Sequence, residues 1–296
     1  MPAPLLIACA SLLFAVMGLC VKLASAQYAA GEIVLYRALV GMALMGGLLY
    51  ARGGTWRTTV PAMHFWRSLS GVLALCLWFY AIGYLPLATA MTLNYTSSVW
   101  MALFLIGGSV MFGAARIDGR LIAAVLAGFC GVALILRPTI DQQQLWYGLA
   151  GLTSGLLAAT AYLQVTALGR AGEPETRIVF YFSLGGVIAG LLLTLMTGGP
   201  NTHSARGLGL LLAIGVLASV AQLMMTRAYS IGHTMSNAVL QYLGIVFSFI
   251  FGVWLFDDPV SLAAVAGMVL IVGAGLAATL LAQRSRSPAA STPTET

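Results

Sequence analysis

Residues 66–111 read WRSLSGVLALCLWFYAIGYLPLATAMTLNYTSSVWMALFLIGGSVM and carry one formal charge, Arg67. As a single helix rising about 1.5 Å per residue, this stretch would be about 70 Å long. That is more than twice a hydrocarbon core of about 30 Å. The stretch therefore reads as two spanning helices, 65–85 and 88–111, parted at Pro86, whose ring removes a backbone donor and disfavours helix in the residue before it.

The rest of the chain follows the same pattern on either side of this hairpin. Apolar runs between breakers predict helices at 5–23 and 31–50 before it, and at 120–136, 146–168, 177–197, 207–229, 235–255 and 260–281 after it. Hydrophobic residues make up 60% of the 296 and charged residues 7%, with a mean hydropathy of +0.96. A soluble domain carries about 25% charged residues, so lipid is the solvent here. In lipid every backbone N–H and C=O must be paired internally, which leaves helices or closed barrels. The long apolar runs exclude the alternating strands of a barrel, and the fold class is an all-α integral membrane protein with ten transmembrane helices.

Cys9, Cys20, Cys76 and Cys130 lie inside apolar runs without a CxxC pair or a histidine at ligand spacing. They read as small packing residues, with no metal site and no cofactor. The leader Met1-Pro2-Ala3-Pro4 has no Lys or Arg, and the run after it is long enough to span, so a signal peptide is not expected. The net charge of +6 is spread over the ends of the apolar runs, a pattern of membrane orientation rather than nucleic-acid binding.

With the N-terminus cytoplasmic, the inner side holds Arg52, Arg57, Arg67, Arg116, Arg120, Arg170, Arg177, Arg227, Arg284 and Arg286. The outer side holds Lys22, Arg37, Arg137 and Arg206. The positive-inside rule then predicts both termini on the cytoplasmic side of the membrane. Residues 283–296, QRSRSPAASTPTET, cannot bury a core and read as a disordered cytoplasmic tail.

An internal repeat is present. Leu93-Asn94-Tyr95 pairs with Leu240-Gln241-Tyr242, Ala123-Ala124-Val125 with Ala263-Ala264-Val265, and Ile33-Val34-Leu35-Tyr36 with Ile178-Val179-Phe180-Tyr181. Ala30-Gly31-Glu32 echoes Ala171-Gly172-Glu173. Five helices return the chain to the opposite side, so the second unit (142–282) enters inverted relative to the first (1–141). Inverted repeats are a recurrent transporter plan, with substrate held near the midplane between them.

Polar side chains at membrane depth normally face protein or a watery cavity. The fourth predicted helix carries Asn94, Tyr95 and Ser98, and the ninth Gln241 and Tyr242. Trp78 and Tyr80 come from the third, Tyr162 and Gln164 from the sixth, and Gln222 from the eighth. Amides, hydroxyls and aromatic walls without charge suit a zwitterion with an apolar side chain. The same aromatics could form an interface belt, and Gln164 and Gln222 could merely bond neighbouring helices. Lys22, Glu32 and Arg37 form an outer vestibule of charge, where Glu32 could pair with Lys22 and where Arg37, lying deeper, needs a partner or water. Small residues four apart, at Gly151 and Gly155, Gly186 and Gly190, and Ala124 and Gly128, predict close helix approach. No Asp, Glu or His falls at a predicted helix midpoint, which points to facilitated diffusion or exchange.

The chain resembles the drug/metabolite transporter superfamily, specifically an EamA-type permease. Arg37 matches the family's second-helix arginine. The segment Tyr80-Ala81-Ile82-Gly83-Tyr84-Leu85-Pro86-Leu87-Ala88 resembles its junction between third and fourth helices, with Arg227-Ala228-Tyr229-Ser230-Ile231-Gly232 as its partner. Asp258-Pro259 matches the acid before the last helix, and Asp118 is its first-half counterpart. The chain departs from the family at Ser98 and Ile245, where proline is frequent. The resemblance implies export of small metabolites, most like the aromatic and other neutral amino acids of bacterial inner-membrane exporters, by alternating access. Another metabolite or drug, or an intramembrane enzyme, are the alternatives. No HExxH and no buried carboxylate pair support the enzyme. A small-molecule substrate and membrane lipids are the expected partners, with monomer and homodimer both open.

Overall fold

A computed structural model describes residues 1–85, 87–101, 104, 119–136, 145–256 and 262–284. The described residues form α1 (Ala3–Ala24), α2 (Ala30–Ala51), α3 (Pro61–Tyr84), α4 (Leu87–Tyr95), α5 (Gly119–Leu136), α6 (Leu145–Arg170), α7 (Glu175–Met196), α8 (Ala205–Ile231), α9 (Thr234–Leu240), α10 (Leu243–Phe256) and α11 (Leu262–Arg284), with no strand among them. Seven stretches are long and apolar enough to cross a membrane: α1, α2, α3, α6, α7, α8, and Ser236–Leu255 spanning α9 and α10. Two shorter apolar helices lie at Ile122–Leu134 and Val265–Ala274. The break at Pro86, the acids Asp118 and Asp258, and tail residues 285–296 lie outside the described residues. The helix α11 runs to Arg284, two residues into the predicted tail.

Local signals set the boundaries. Pro61 opens α3, where its missing N–H is one that a first turn leaves unpaired anyway. The Ser204 hydroxyl accepts the Gly207 N–H at 3.0 Å and caps α8. After α2 and α7, Gly53 and Gly198 take left-handed backbones (φ 63° and 101°). These let Gly54 N–H reach Leu49 O and Gly199 N–H reach Thr194 O, both at 2.9 Å. The same terminator closes the second helix of each half.

The proline-free segments still break. α4 ends at Tyr95, turns at Thr96 and is helical again from 97. α9 and α10 are parted at Gln241 and Tyr242. Tighter bonds replace the α-helical ladder at both points: Val99 N–H to Thr96 O, and Gly244 N–H to Gln241 O, each 2.9 Å. Interruptions thus fall beside Asn94 and Gln241, the repeat-related pair, without help from proline.

Helix packing carries an internal symmetry. The most extensive contacts join α2 to α7, α1 to α8, α3 to α6, and α5 to α11. Exchanging α1 with α6, α2 with α7, α3 with α8 and α5 with α11 maps this pattern onto itself. Glycines permit the close approach: a Cβ on Gly190 would lie 2.6 Å from the Leu35 backbone nitrogen, and one on Gly155 2.6 Å from Leu93 O. The outer faces are apolar, with Leu191, Leu195, Val216, Val220, Val269 and Leu276 exposed. Polar side chains such as Ser98, Ser154, Thr226 and Asn237 are buried inside. That is the distribution of a bundle solvated by lipid.

Candidate substrate site

A cavity of about 60 Å³ lies among α1, α2, α3, α4, α6, α7 and α8, reaching Gln241 at the break between α9 and α10. It has room for a few water molecules. Of the predicted site residues, Trp78, Asn94, Tyr95, Tyr162, Gln222 and Gln241 line it, together with Arg37. Both repeat-related amides are therefore present, each delivered by an interrupted segment.

Four predicted site residues do other work. Ser98 donates its hydroxyl to Ala238 O at 2.7 Å, tying its segment to α9. Tyr80 is exposed and packs with Tyr84 and Tyr147, whose rings stack at 4.3 Å. It opens on a second hollow of about 600 Å³ between the ends of α1, α2, α3 and α7. Gln164 accepts the Ser70 hydroxyl at 3.2 Å and joins α6 to α3. Tyr242 is fully buried, its ring lying where Gly128 of α5 leaves room.

The expected charge pairing also changes. Lys22 donates to Ile82 O, Gly83 O and Leu85 O at 2.9, 3.3 and 2.7 Å. It thereby neutralises the carbonyl end of α3 rather than Glu32. Glu32 instead accepts Asn201 Nδ2 at 2.9 Å and lies 3.4 Å from His203 Nε2.

Arg67 is the residue that sequence reasoning misplaced. Counted among the basic residues of an inner connection, it is 3% exposed and lines the cavity. The helix α3 begins at Pro61, four residues before the predicted start, which puts Arg67 about 9 Å inside it. The proline at 61 was the available signal. Gly71, one turn on, makes the space: a Cβ there would overlap the Arg67 Nη1.

The cavity is consequently not an uncharged set. The guanidinium carbons of Arg67 and Arg37 sit 4.3 and 5.3 Å from the Phe182 ring centre, so they are no more than about 10 Å apart. Arg37 Nη2 reaches Gln222 Oε1 only at 3.5 Å. Arg37 Nε, Arg67 Nε and Nη1, Trp78 Nε1 and Gln222 Nε2 have no partner. Among the described residues the ion pairs between permanently charged groups are Arg177–Glu173 and Arg227–Glu175, while His64 and His203 approach Glu173 and Glu32. Neither cavity arginine belongs to one. At that greatest separation, about 10 Å, two unit charges already repel by about 1.7 kcal/mol at an effective dielectric of about 20, and more if closer. The cavity is an unneutralised cluster of donors, with Gln241 Oε1 as an unused acceptor among them.

Two buried glutamates hold opposite connections in related ways. Glu32, at the start of α2, clasps the α7–α8 connection through Asn201 and His203. Glu173, just before α7, clasps the α2–α3 side by accepting the Thr58 hydroxyl at 2.8 Å and His64 Nε2–H at 3.1 Å, and it also accepts Arg177 Nη1 of α7 at 3.0 Å. Burial pushes the Glu173 carboxyl up, and the hydrogen bonds from Thr58, His64 and Arg177 outweigh it, holding the group below its ordinary value.

A lipid-solvated helical bundle with broken segments meeting at a polar interior cavity defines a multi-pass membrane transporter. The chain belongs to the EamA-like transporter family, whose model matches residues 1–137 and again 145–280. It is 35% identical over 274 residues to the pseudopaline exporter of Pseudomonas aeruginosa, covering 92% of this chain and 94% of that protein. It is 31% identical over 174 residues to a riboflavin transporter of Rhizobium johnstonii, covering 59% and 55%. An S-adenosylmethionine uptake transporter of Rickettsia bellii is 22% identical over 236 residues, covering 79% and 77%. A solved crystal structure shares the fold with a TM-score of 0.78 at 20% identity, covering 96% of this chain and 99% of that one. The family and these relatives are transporters, and the enzyme alternative falls.

Proposed function

We propose that the chain exports amino acids and related carboxylate-bearing metabolites by alternating access, through the cavity between two inverted five-helix repeats, 1–141 and 142–282. Ten crossings, with both termini in the cytoplasm of the inner membrane and 285–296 as a tail, complete this reading. The family model matching twice, the exchange symmetry of the helix contacts, and the paired interruptions at Thr96 and Gln241 support the repeats. The outward direction draws on the exporter of Pseudomonas aeruginosa.

The observation that carries the substrate reading is Arg37, 5% exposed in the cavity and with no carboxylate partner among the described residues. A buried guanidinium is held at a cost of several kcal/mol unless something compensates it, and a substrate carboxylate does so in the loaded state. Trp78, Tyr95 and Tyr162 supply walls for an apolar or aromatic side chain. The test is counterflow in proteoliposomes with labelled L-phenylalanine, L-leucine and L-glutamate. Flux of carboxylate-bearing amino acids that Arg37→Gln reduces at least tenfold is expected. Equal flux in the variant, or flux of cationic solutes alone, refutes the reading.

A further inference from the structure

Arg37 needs only one carboxylate, yet the cavity holds two arginines, and the second has the Phe182 ring against it but no acid among the described residues. Arg67 is 3% exposed, and its Nε and Nη1 have no partner. It approaches the cavity from α3 while Arg37 approaches from α2, and both lie against the Phe182 ring, which keeps them close without neutralising them. The space for its head group is prepared by Gly71, where any side chain would overlap it. The unused donors of Trp78 and Gln222 add to the same anion-seeking surface, and Gln241 Oε1 is an acceptor suited to an ammonium or hydroxyl.

From this geometry we infer that the preferred substrate carries two carboxylates a few bonds apart, one for Arg37 and one for Arg67, the two guanidiniums that share the Phe182 ring. This rests on the carboxylate-transport reading above and narrows it. A monocarboxylate would leave one guanidinium uncompensated and two like charges still facing each other. A dicarboxylate neutralises both, and each charge-assisted pair strengthens in a site from which water is excluded.

The test is calorimetric binding to the purified full-length protein in detergent at neutral pH. The probes are L-glutamate, succinate and citrate against L-glutamine, butyrate and L-phenylalanine. Glutamate is expected to bind at least tenfold more tightly than glutamine, and succinate at least tenfold more tightly than butyrate. In Arg67→Gln both ratios should fall to near one, and Arg67→Lys, which keeps the charge, should restore part of them. A cooperative thermal transition of the unliganded variants establishes that they are folded. Glutamine binding as tightly as glutamate, or ratios that survive in Arg67→Gln, overturns the two-carboxylate inference while leaving carboxylate transport standing. Absence of binding by every probe overturns both.

Discussion

Gly71 offers a test of the cavity geometry that needs no substrate. Alanine in the middle of a helix is more favourable than glycine by about 1 kcal/mol, so Gly71→Ala should stabilise α3 if position 71 were ordinary. In this bundle the new Cβ would overlap Arg67 Nη1 and lie 3.1 Å from Phe182 Cε2. The Arg67 head group, the far end of a flexible side chain, must then shift, and moving off the Phe182 ring forfeits about 2 kcal/mol for a desolvated cation–π contact. A displaced rotamer adds about 1 kcal/mol. The net expectation is a loss of about 2 kcal/mol. Once Arg67→Ala has removed the side chain, the same glycine substitution should gain about 1 kcal/mol. The double-mutant cycle, measured by reversible unfolding in mixed micelles, should therefore show a coupling of about 3 kcal/mol between positions 67 and 71. A gain of about 1 kcal/mol from Gly71→Ala in both backgrounds would refute the placement of Arg67.

Arg67→Met should raise the unfolding free energy of the unliganded protein by about 1–4 kcal/mol, because an unpaired buried charge gives way to packing, and dicarboxylate binding should be lost with it. Gly190→Leu should prevent recovery of folded protein, since its Cβ would lie 2.6 Å from the Leu35 backbone nitrogen. Gly47→Ala, with nothing within 4 Å, should gain about 1 kcal/mol in the same unfolding assay. The Glu173 clasp should be insensitive to pH near neutrality. A carboxyl held below its ordinary value contributes stability that is full above the unfolded pKa of about 4 and drains as pH falls through the folded one. Hydrogen exchange of residues 52–60 followed from pH 7 downward should accelerate only in that acidic range. Glu173→Gln should accelerate exchange there at neutral pH.

The paired clasps extend the repeat beyond what residue matching made visible. In the sequence Ala30-Gly31-Glu32 and Ala171-Gly172-Glu173 are one matched pair among several, and what either acid holds is not legible. Folded, each glutamate is buried at the start of a matching helix and holds the connection of the other half, with a histidine in each clasp. The asymmetry is as informative. Arg177 strengthens the Glu173 clasp and has no counterpart at Glu32, where Asn201 supplies the donors.

Composition by itself fixed lipid as the solvent, helix as the only structure for the apolar runs, and the approximate position of each run, because hydrocarbon leaves the backbone no other way to pair its polar groups. That Asn94 and Gln241 sit in similar segments, and that Arg37 lies at depth, were also legible. Which face of each helix turns inward was not. These helices are apolar nearly all round, so periodicity carries little rotational information, and only packing decided that Ser98, Gln164 and Tyr242 bond or fill between helices while Trp78 and Tyr162 reach the cavity. Arg67 shows the same limit at a helix end. A helix that starts four residues earlier than predicted carries Arg67 from the mouth of a span to a buried position, and the space that admits it comes from Gly71 and from Phe182 on a helix more than a hundred residues away.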